Sequence, residues 1–315
     1  MAPRFLALMG PTAVGKTSLS IPLAQKLGAE VISVDSRQVY RGMDIGTAKV
    51  APEERGAIPH HGLDRVDPDE RYSAGRFARD ARAWIQDIEG RGHIPLLVGG
   101  TGFFLKALME PIVEEPVVDV ERRDRLRKVL SQWPRERLER WVWALDPERA
   151  PVAAEGGPQR LGRALEVALL TGRPLSWWHR HAPAEAPGVP GLVVVLHRPR
   201  PDLDRRIEER VDQMLADGLV EEVRRLHLAG YDEDSPGMSA TGYREVLTHI
   251  RGESTLEEAA AAVKKATRRY ARRQITWFRH QVPGGGRWMD ARGSADDRVR
   301  EIVAHWRATR EDPRG

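Results

Sequence analysis

The chain has 315 residues, of which 41% are hydrophobic and 30% charged, and its net charge is +4. This composition is typical of a soluble globular protein, and the length predicts about two domains. The absence of cysteine excludes disulfides, thiolate nucleophiles and cysteine-ligated zinc. No apolar run approaches the roughly 18 residues of a membrane span, and the run 5–9 is too short for a secretory signal. We therefore expect a cytoplasmic protein with no membrane contact.

The N-terminal third alternates between predicted strands and predicted helices. This alternation is typical of an α/β fold, in which a parallel sheet carries helices on both faces. The predicted strands span residues 4–9, 30–34, 94–98 and 193–197, and the predicted helices between the first three span 17–27 and 77–89.

The stretch between the third and fourth predicted strands has a different pattern. It has helix-like periodicity at 121–130, 135–145 and 159–170, with proline-rich breaks and no convincing strand. We therefore predict an all-helical insertion domain at 113–190, within a core formed by 1–112 and 191–315. We expect its core to include Trp133, Trp141 and Trp143.

The chain beyond Pro201 is predicted to be helical. Leu203, Ile207 and Val211 recur every four residues and define one apolar helix face, and a second long helix is predicted at 256–278. Residues 264–287 hold eight Lys or Arg and no Asp or Glu. This run is either a nucleic-acid-binding surface or the solvated face of a helix.

A phosphate-binding loop follows the first predicted strand, because residues 10–17 match the pattern G-x-x-x-x-G-K-[ST]. In such a loop, backbone N–H groups surround phosphate oxygens, the lysine adds charge and the Thr17 hydroxyl ligates Mg²⁺. The pattern predicts a bound phosphate but not a reaction. The predicted phosphate-binding residues are Gly10, Pro11, Thr12, Ala13, Val14, Gly15, Lys16 and Thr17.

Asp35 follows the second predicted strand, and in a parallel sheet it faces the same crevice as the phosphate loop. It is either a general base beside the phosphates or a turn cap. The third strand ends in Gly99-Gly100-Thr101, without the acid typical of a nucleotide-hydrolysing motor. Thr101 either faces the crevice or only closes a tight turn.

Several segments, in order along the chain, resemble the tRNA dimethylallyltransferase family in its bacterial form. The strings DSRQVYRGMDIGTAK and ATRRYARRQITWFR are far more specific than the phosphate loop. The matching segments are residues 10–17, 35–49, 97–104, 159–167, 206–223 and 266–279.

The resemblance implies a P-loop NTPase-like fold and transfer of a dimethylallyl group from dimethylallyl diphosphate to N6 of an adenine. That adenine would be position 37 of tRNAs reading codons that begin with U, and the enzyme would use Mg²⁺ and act as a monomer. Met43 and Ile45 would either line the isoprenyl channel or simply be buried. The catalytic residues implied are Asp35 as general base, Thr101, Lys16 and Arg206. The tRNA-binding residues implied or suggested by the basic run are Asp35, Ser36, Arg37, Gln38, Thr101, Arg123, Gln159, Arg160, Leu161, Gly162, Arg163, Arg268, Arg272 and Arg273.

Three other functions are alternatives to transfer of a dimethylallyl group to tRNA. A P-loop small-molecule kinase could use an acid after the second strand as its base. An adenylate isopentenyltransferase acting on AMP is expected to lack the basic C-terminal run. A non-enzymatic RNA-binding module would explain that run, but not the phosphate loop paired with Asp35.

Overall fold

A computed structural model describes residues 2–113, 116, 118–182 and 184–311. Within this part of the chain there are eight strands and fourteen helices. The strands are β1 (Phe5–Met9), β2 (Ala29–Val34), β3 (His60–His61), β4 (Ile94–Gly99), β5 (Ile112–Val113), β6 (Ala184–Ala186), β7 (Gly191–His197) and β8 (Arg287–Asp290).

The helices are numbered in the same way. They are α1 (Lys16–Leu27), α2 (Pro52–Arg55), α3 (Ala74–Gly90), α4 (Gly102–Met109), α5 (Val120–Ser131), α6 (Arg135–Leu145), α7 (Ala150–Glu155), α8 (Pro158–Thr171), α9 (Leu175–His181), α10 (Arg200–Ala216), α11 (Leu219–Leu228), α12 (Tyr243–Ile250), α13 (Leu256–Gln281) and α14 (Ala295–Glu311). In the described residues, no helix is both long enough and apolar enough to cross a membrane.

The predicted parallel α/β sheet is confirmed. Six strands pair in parallel in the order β3-β2-β4-β1-β7-β8. All of β1 is buried, as expected for a central strand covered on both faces. Strand β4 lies between β1 and β2. The phosphate loop after β1, the turn after β4 and Asp35 after β2 therefore lie side by side at the same edge of the sheet.

Two elements near the C-terminus complete the core and were not predicted. Strand β8 pairs with β7 at the sheet edge, so the expectation of an entirely helical C-terminal region was wrong at this point. Only Met289 of this strand is buried, which leaves no alternating pattern to detect. Helix α14 then buries Ile302 and Trp306 in the same apolar cluster as α1.

The described chain separates into two compact units. One comprises Met1–Glu110 and Gly188–Gly315, and the other comprises Pro111–Pro187. Helices α5, α6, α7 and α8 of the second unit share a core around Leu138, Val142 and Leu161.

The second unit differs from its sequence prediction in two respects. It is not entirely helical, because β5 and β6 form a short antiparallel ladder near its two chain ends. Trp133 packs against the core as predicted. Trp141 and Trp143 are 40% and 54% exposed, so the prediction that they belong to the core was wrong. The buried residues of helix α6 are Leu138 and Val142, which define its core-facing side. Both tryptophans lie outside that side of the helix.

Candidate active site

The sheet edge at which β1, β2 and β4 end opens into a cavity of about 1100 Å³ within the first unit. Its lining includes Thr12, Lys16, Thr17, Asp35 and Gly100. Side chains from α10 and α13 complete the walls, among them Arg206, Arg210, Tyr270, Arg273 and Gln274. The predicted phosphate loop and the predicted base therefore face the same cavity.

The loop after β1 has the backbone shape that a phosphate-binding loop requires. Gly10 and Gly15 have φ angles of 152° and 109°, which favour glycine. A Cβ atom on Gly10 would also lie 2.8 Å from the carbonyl oxygen of Leu196. Ala13 has a φ of 62°, a left-handed conformation that costs a non-glycine residue about 1–3 kcal/mol. Helix α1 begins directly after the loop at Lys16, so its positive dipole end faces the loop.

Three side chains from distant parts of the sequence hold this strained loop. Arg206 Nε donates to the carbonyl oxygen of Ala13 at 2.9 Å, and Arg198 Nε donates to that of Val14 at 2.8 Å. Gln274 accepts a hydrogen bond from the backbone N–H of Thr12 at 2.9 Å. Sequence reasoning placed Arg206 at the site but missed the roles of Arg198 and Gln274.

Lys16 is partly buried beneath the loop. Its Nζ donates to the carbonyl oxygens of Gly10 and Pro11 at 2.9 and 2.8 Å. The pKa of Lys16 is lowered to about 7, chiefly because of burial; the positive charge of Arg210 adds to this shift and Asp35 opposes it. The site therefore holds a lysine ammonium that a bound anion would stabilise.

Arg210 was not singled out by the sequence, yet it lines the same cavity. Burial lowers the pKa of this guanidinium, Asp35 opposes the shift, and Arg206 adds to it. Within the described part of the chain, Arg210 has no ion-pair partner within 4.0 Å. Three cations, Lys16, Arg206 and Arg210, thus converge on a cavity that is suited to a polyanionic ligand.

Asp35 closes a turn, as one of the two alternatives from the sequence required, and it also faces the cavity, where the other alternative would place a general base. Its Oδ1 accepts a hydrogen bond from the backbone N–H of Arg37 at 2.8 Å, which closes a turn after β2. The same carboxylate lines the cavity and interacts electrostatically with Lys16, Arg210 and Tyr270. The turn fixes the carboxylate, and Oδ2 has no hydrogen-bond partner among the described residues, which leaves it available to a ligand.

Thr101 connects the turns after β2 and β4 to helix α13. Its Oγ1 accepts from the backbone N–H of Ser36 at 3.0 Å, and its hydroxyl is hydrogen-bonded to Tyr270. Burial and the charge of Asp35 raise the pKa of Tyr270 to about 12. The phenol therefore remains protonated and capable of donating near neutral pH.

A buried carboxylate, Glu222 of α11, holds the loop that follows the Asp35 turn. It accepts hydrogen bonds from the backbone N–H groups of Asp44, Ile45 and Gly46 at 2.8–3.1 Å. It also accepts one from the Tyr243 hydroxyl at 2.5 Å. Glu222 is 2% exposed and lies outside the predicted site residues, although it falls within the family-like segment 206–223.

The side chains after Asp35 already have protein partners. Arg37 donates to the carbonyl oxygen of Pro236 at 2.8 Å, and Gln38 Nε2 donates to those of Thr47 and Ala48 at 3.1 and 3.2 Å. Both side chains still line the cavity. Met43 and Ile45 are not among its lining residues, and Met43 is fully buried, which agrees with the second of the two alternatives that the sequence left open.

The predicted RNA-contacting residues of the second unit lie on α5 and at the start of α8. Leu161 is fully buried in the core of that unit, so its side chain packs in the core and does not face a ligand. Arg163 pairs with Glu166, and the Nε atom of Arg123 is buried without a hydrogen-bond partner in the described chain. In the first unit, Arg268 and Arg272 pair with acids of α10, whereas Arg273 lines the cavity.

The fold and this site define a member of the P-loop α/β class, because a phosphate-binding loop lies at the carboxyl edge of a parallel sheet beside an acid that directly follows β2. The IPP transferase family model matches residues 38–281, and the isopentenyl transferase family model matches residues 3–62. The chain belongs to the IPP transferase family.

Relatives cover nearly the whole chain. The tRNA dimethylallyltransferase of Halorhodospira halophila is 45% identical over 310 residues, which cover 96% of each chain. That of Moorella thermoacetica is 48% identical over 282 residues, 87% of this chain and 86% of the relative. The predicted family resemblance is confirmed.

Solved structures of this family have the same fold. The tRNA isopentenylpyrophosphate transferase from Bacillus halodurans has a TM-score of 0.71 and 37% identity, covering 98% of this chain and 96% of that one. A eukaryotic dimethylallyltransferase acting on tRNA has a TM-score of 0.81 and 28% identity, covering 98% of this chain and 81% of that one.

Proposed function

We propose that the chain transfers a dimethylallyl group from dimethylallyl diphosphate to N6 of an adenine in tRNA and releases diphosphate. The observation that carries this proposal is the single cavity that Lys16, Asp35 and the phosphate loop share. The relatives named above as tRNA dimethylallyltransferases support the choice of substrates. By the same resemblance, we propose adenine 37 of tRNAs that read codons beginning with U as the acceptor.

The reaction needs negative charge to be stabilised at one end of the cavity and a proton to be accepted at the other. The C1–O bond of the donor breaks and its electron pair leaves with the diphosphate. The phosphate loop with Lys16, Arg206 and Arg210 stabilises that developing charge. The lone pair of N6 forms the new bond to C1, and the N6 proton passes to Asp35.

Mg²⁺ fits the donor atoms that face this cavity. The hydroxyl of Thr17 and the carboxylate of Asp35 are both oxygen donors in its lining. Mg²⁺ is commonly bound through one or two protein oxygens together with substrate phosphates. We propose that the Thr17 hydroxyl would hold the ion, which would supply positive charge at the leaving group when bound.

Incubation with labelled donors tests the function directly. We expect the purified chain to move label from dimethylallyl diphosphate into tRNA, and mass analysis of the nucleosides to locate it on adenosine 37. Transfer of the γ-phosphate of ATP to a small molecule would support the competing kinase. Transfer of the prenyl group to AMP but not to tRNA would support an adenylate isopentenyltransferase.

A further inference from the structure

Helix α13 has two parallel stripes of basic side chains with different surroundings. The first, Lys264, Arg268 and Arg272, we call the paired stripe. The second, Lys265, Arg269 and Arg273, we call the open stripe. Members of each stripe are four residues apart and therefore lie on one side of the helix.

The paired stripe forms ion pairs with helix α10. Lys264 Nζ lies 2.6 Å from Asp212, and Arg268 donates to Glu208 at 2.7 Å. Arg272 lies 4.0 Å from Asp204. The three acids are also four residues apart but run in the opposite direction, so the helices form a regular antiparallel ladder. These cations are largely neutralised within the protein.

The open stripe has no such partners. Within the described residues, no Asp or Glu lies within 4.0 Å of the basic groups of Lys265, Arg269 or Arg273, and all three side chains are exposed. The Arg273 guanidinium lies 5.8 Å from the ring centroid of Tyr270. Its side chain also lines the active-site cavity. The open stripe therefore leads along the helix to the rim of that cavity.

A groove of about 380 Å³ continues the open stripe beyond Arg273. Trp277 lines this groove and packs against the start of α4, because a Cβ atom on Gly102 would lie 2.0 Å from the indole ring. Gly102 follows Thr101 directly, so the groove adjoins the active site. Cations beside an aromatic ring suit phosphates and bases. The residues lining it are Arg272, Arg273, Thr276, Trp277, His280 and Gln281.

We propose that the open stripe and this groove bind the RNA backbone on either side of the target base, and that Lys264 and Arg268 of the paired stripe are an internal support. The proposal rests on RNA being the acceptor substrate. Of the two stripes, only the open stripe is without acidic partners in the described residues, and its Arg273 lies at the cavity that the target base would enter. Phosphate contacts by such cations release counterions, which makes the affinity depend on salt.

The test compares two double variants that remove the same charge from the same helix. Lys265→Gln with Arg269→Gln removes two cations of the open stripe, and Lys264→Gln with Arg268→Gln removes two of the paired stripe. Affinity for an anticodon stem-loop RNA is measured between 50 and 300 mM KCl. We expect the open-stripe variant to reduce the slope of log affinity against log salt by about 1.4–1.8, at about 0.7–0.9 for each phosphate contact. We expect the paired-stripe variant to keep the wild-type slope.

Equal loss of slope in both variants would mean that the helix acts through its total charge, and the proposal would be wrong. An unchanged slope in the open-stripe variant would also overturn it. Prenyl transfer by the wild-type chain is measured separately with the same RNA. If transfer fails while the slopes differ as expected, the proposed activity is wrong and the RNA-binding surface stands.

Discussion

The side chain of Gln274 accepts a hydrogen bond from the backbone N–H of Thr12 at 2.9 Å, across 262 residues of sequence. Its Nε2 donates to the carbonyl oxygen of Gly100 at 2.9 Å, and the side chain is 6% exposed. A Cβ atom on Gly100 would lie 2.3 Å from this Nε2, so the contact needs a glycine there. One glutamine on the basic helix therefore joins the phosphate loop to the turn after β4.

Replacing Gln274 tests whether this connection positions the phosphate loop. In Gln274→Met the side chain keeps its length, but Thr12 N–H and Gly100 C=O lose their partner. An unpaired buried group costs about 1–3 kcal/mol. We expect kcat/KM for dimethylallyl diphosphate to fall about tenfold to hundredfold, mainly through a higher KM. Steady-state kinetics against each substrate measure this effect.

Gln86→Met, at an exposed position of α3, is the matched control and should behave like the wild type. A merely structural role for Gln274 would lower the melting temperature and leave the KM of the folded enzyme unchanged. That result would contradict a positioning role.

Asp35 is predicted to act both as base and as turn cap, and two substitutions separate these roles. Asn keeps an oxygen that accepts from Arg37 N–H but does not take up the N6 proton, whereas Ala removes both functions. We expect both variants to bind diphosphate nearly as the wild type does, and Asp35→Asn to lose about 10²–10⁴ in single-turnover rate. A wild-type rate in Asp35→Asn would exclude the general-base role.

The sequence reveals those parts of the site that are encoded by short strings. The strand before Gly10, the helix after Lys16 and Asp35 after β2 all follow from local pattern, and the structure brings them to one sheet edge. Gln274 lies within the family-like segment 266–279, but the sequence of that segment does not show which atoms this glutamine contacts. Its two partners are 262 and 174 residues away.

The basic helix shows the same limit. The sequence shows eight basic residues and no acid within this run, so the run by itself predicts one continuous charged surface. The sequence of one helix does not show which residues of other helices pack against it. The neutralising acids are on α10, and only the packing of two helices shows that Lys264 and Arg268 are paired. The sequence analysis missed strand β8 for a related reason. This strand is recognised by its pairing with β7, and its sequence has no apolar pattern that would predict it.

Diphosphate binding should take up a proton at Lys16. In the free site the pKa of this lysine is lowered to about 7. A diphosphate beside the ammonium raises that pKa, so above pH 7 the bound state holds more protons than the free state. Binding therefore weakens as pH rises through the window above 7, by up to about tenfold per pH unit.

Calorimetry at pH 8 in HEPES and in Tris measures this uptake, because the observed enthalpy then depends on the buffer. We expect the wild type to take up about one proton more than Lys16→Arg, whose guanidinium stays charged throughout. The arginine variant also corrects for protons bound by the diphosphate itself. Equal uptake by the two proteins would show that Lys16 is already charged in the free site.

Glu222 should matter for RNA more than for diphosphate, because it holds the loop of Asp44, Ile45 and Gly46 rather than the phosphate loop. In Glu222→Gln one accepting oxygen becomes an NH₂ group that faces backbone N–H donors. We expect the free energy of unfolding to fall by about 2–4 kcal/mol and KM for tRNA to rise, with little change in KM for dimethylallyl diphosphate.

The control variant Tyr243→Phe removes only the hydroxyl donor to the same carboxylate, and we expect it to lower the free energy of unfolding by about 1 kcal/mol. Urea unfolding and kinetics at saturating donor measure both quantities. A Glu222→Gln enzyme with native KM for tRNA would show that this loop does not contribute to RNA recognition.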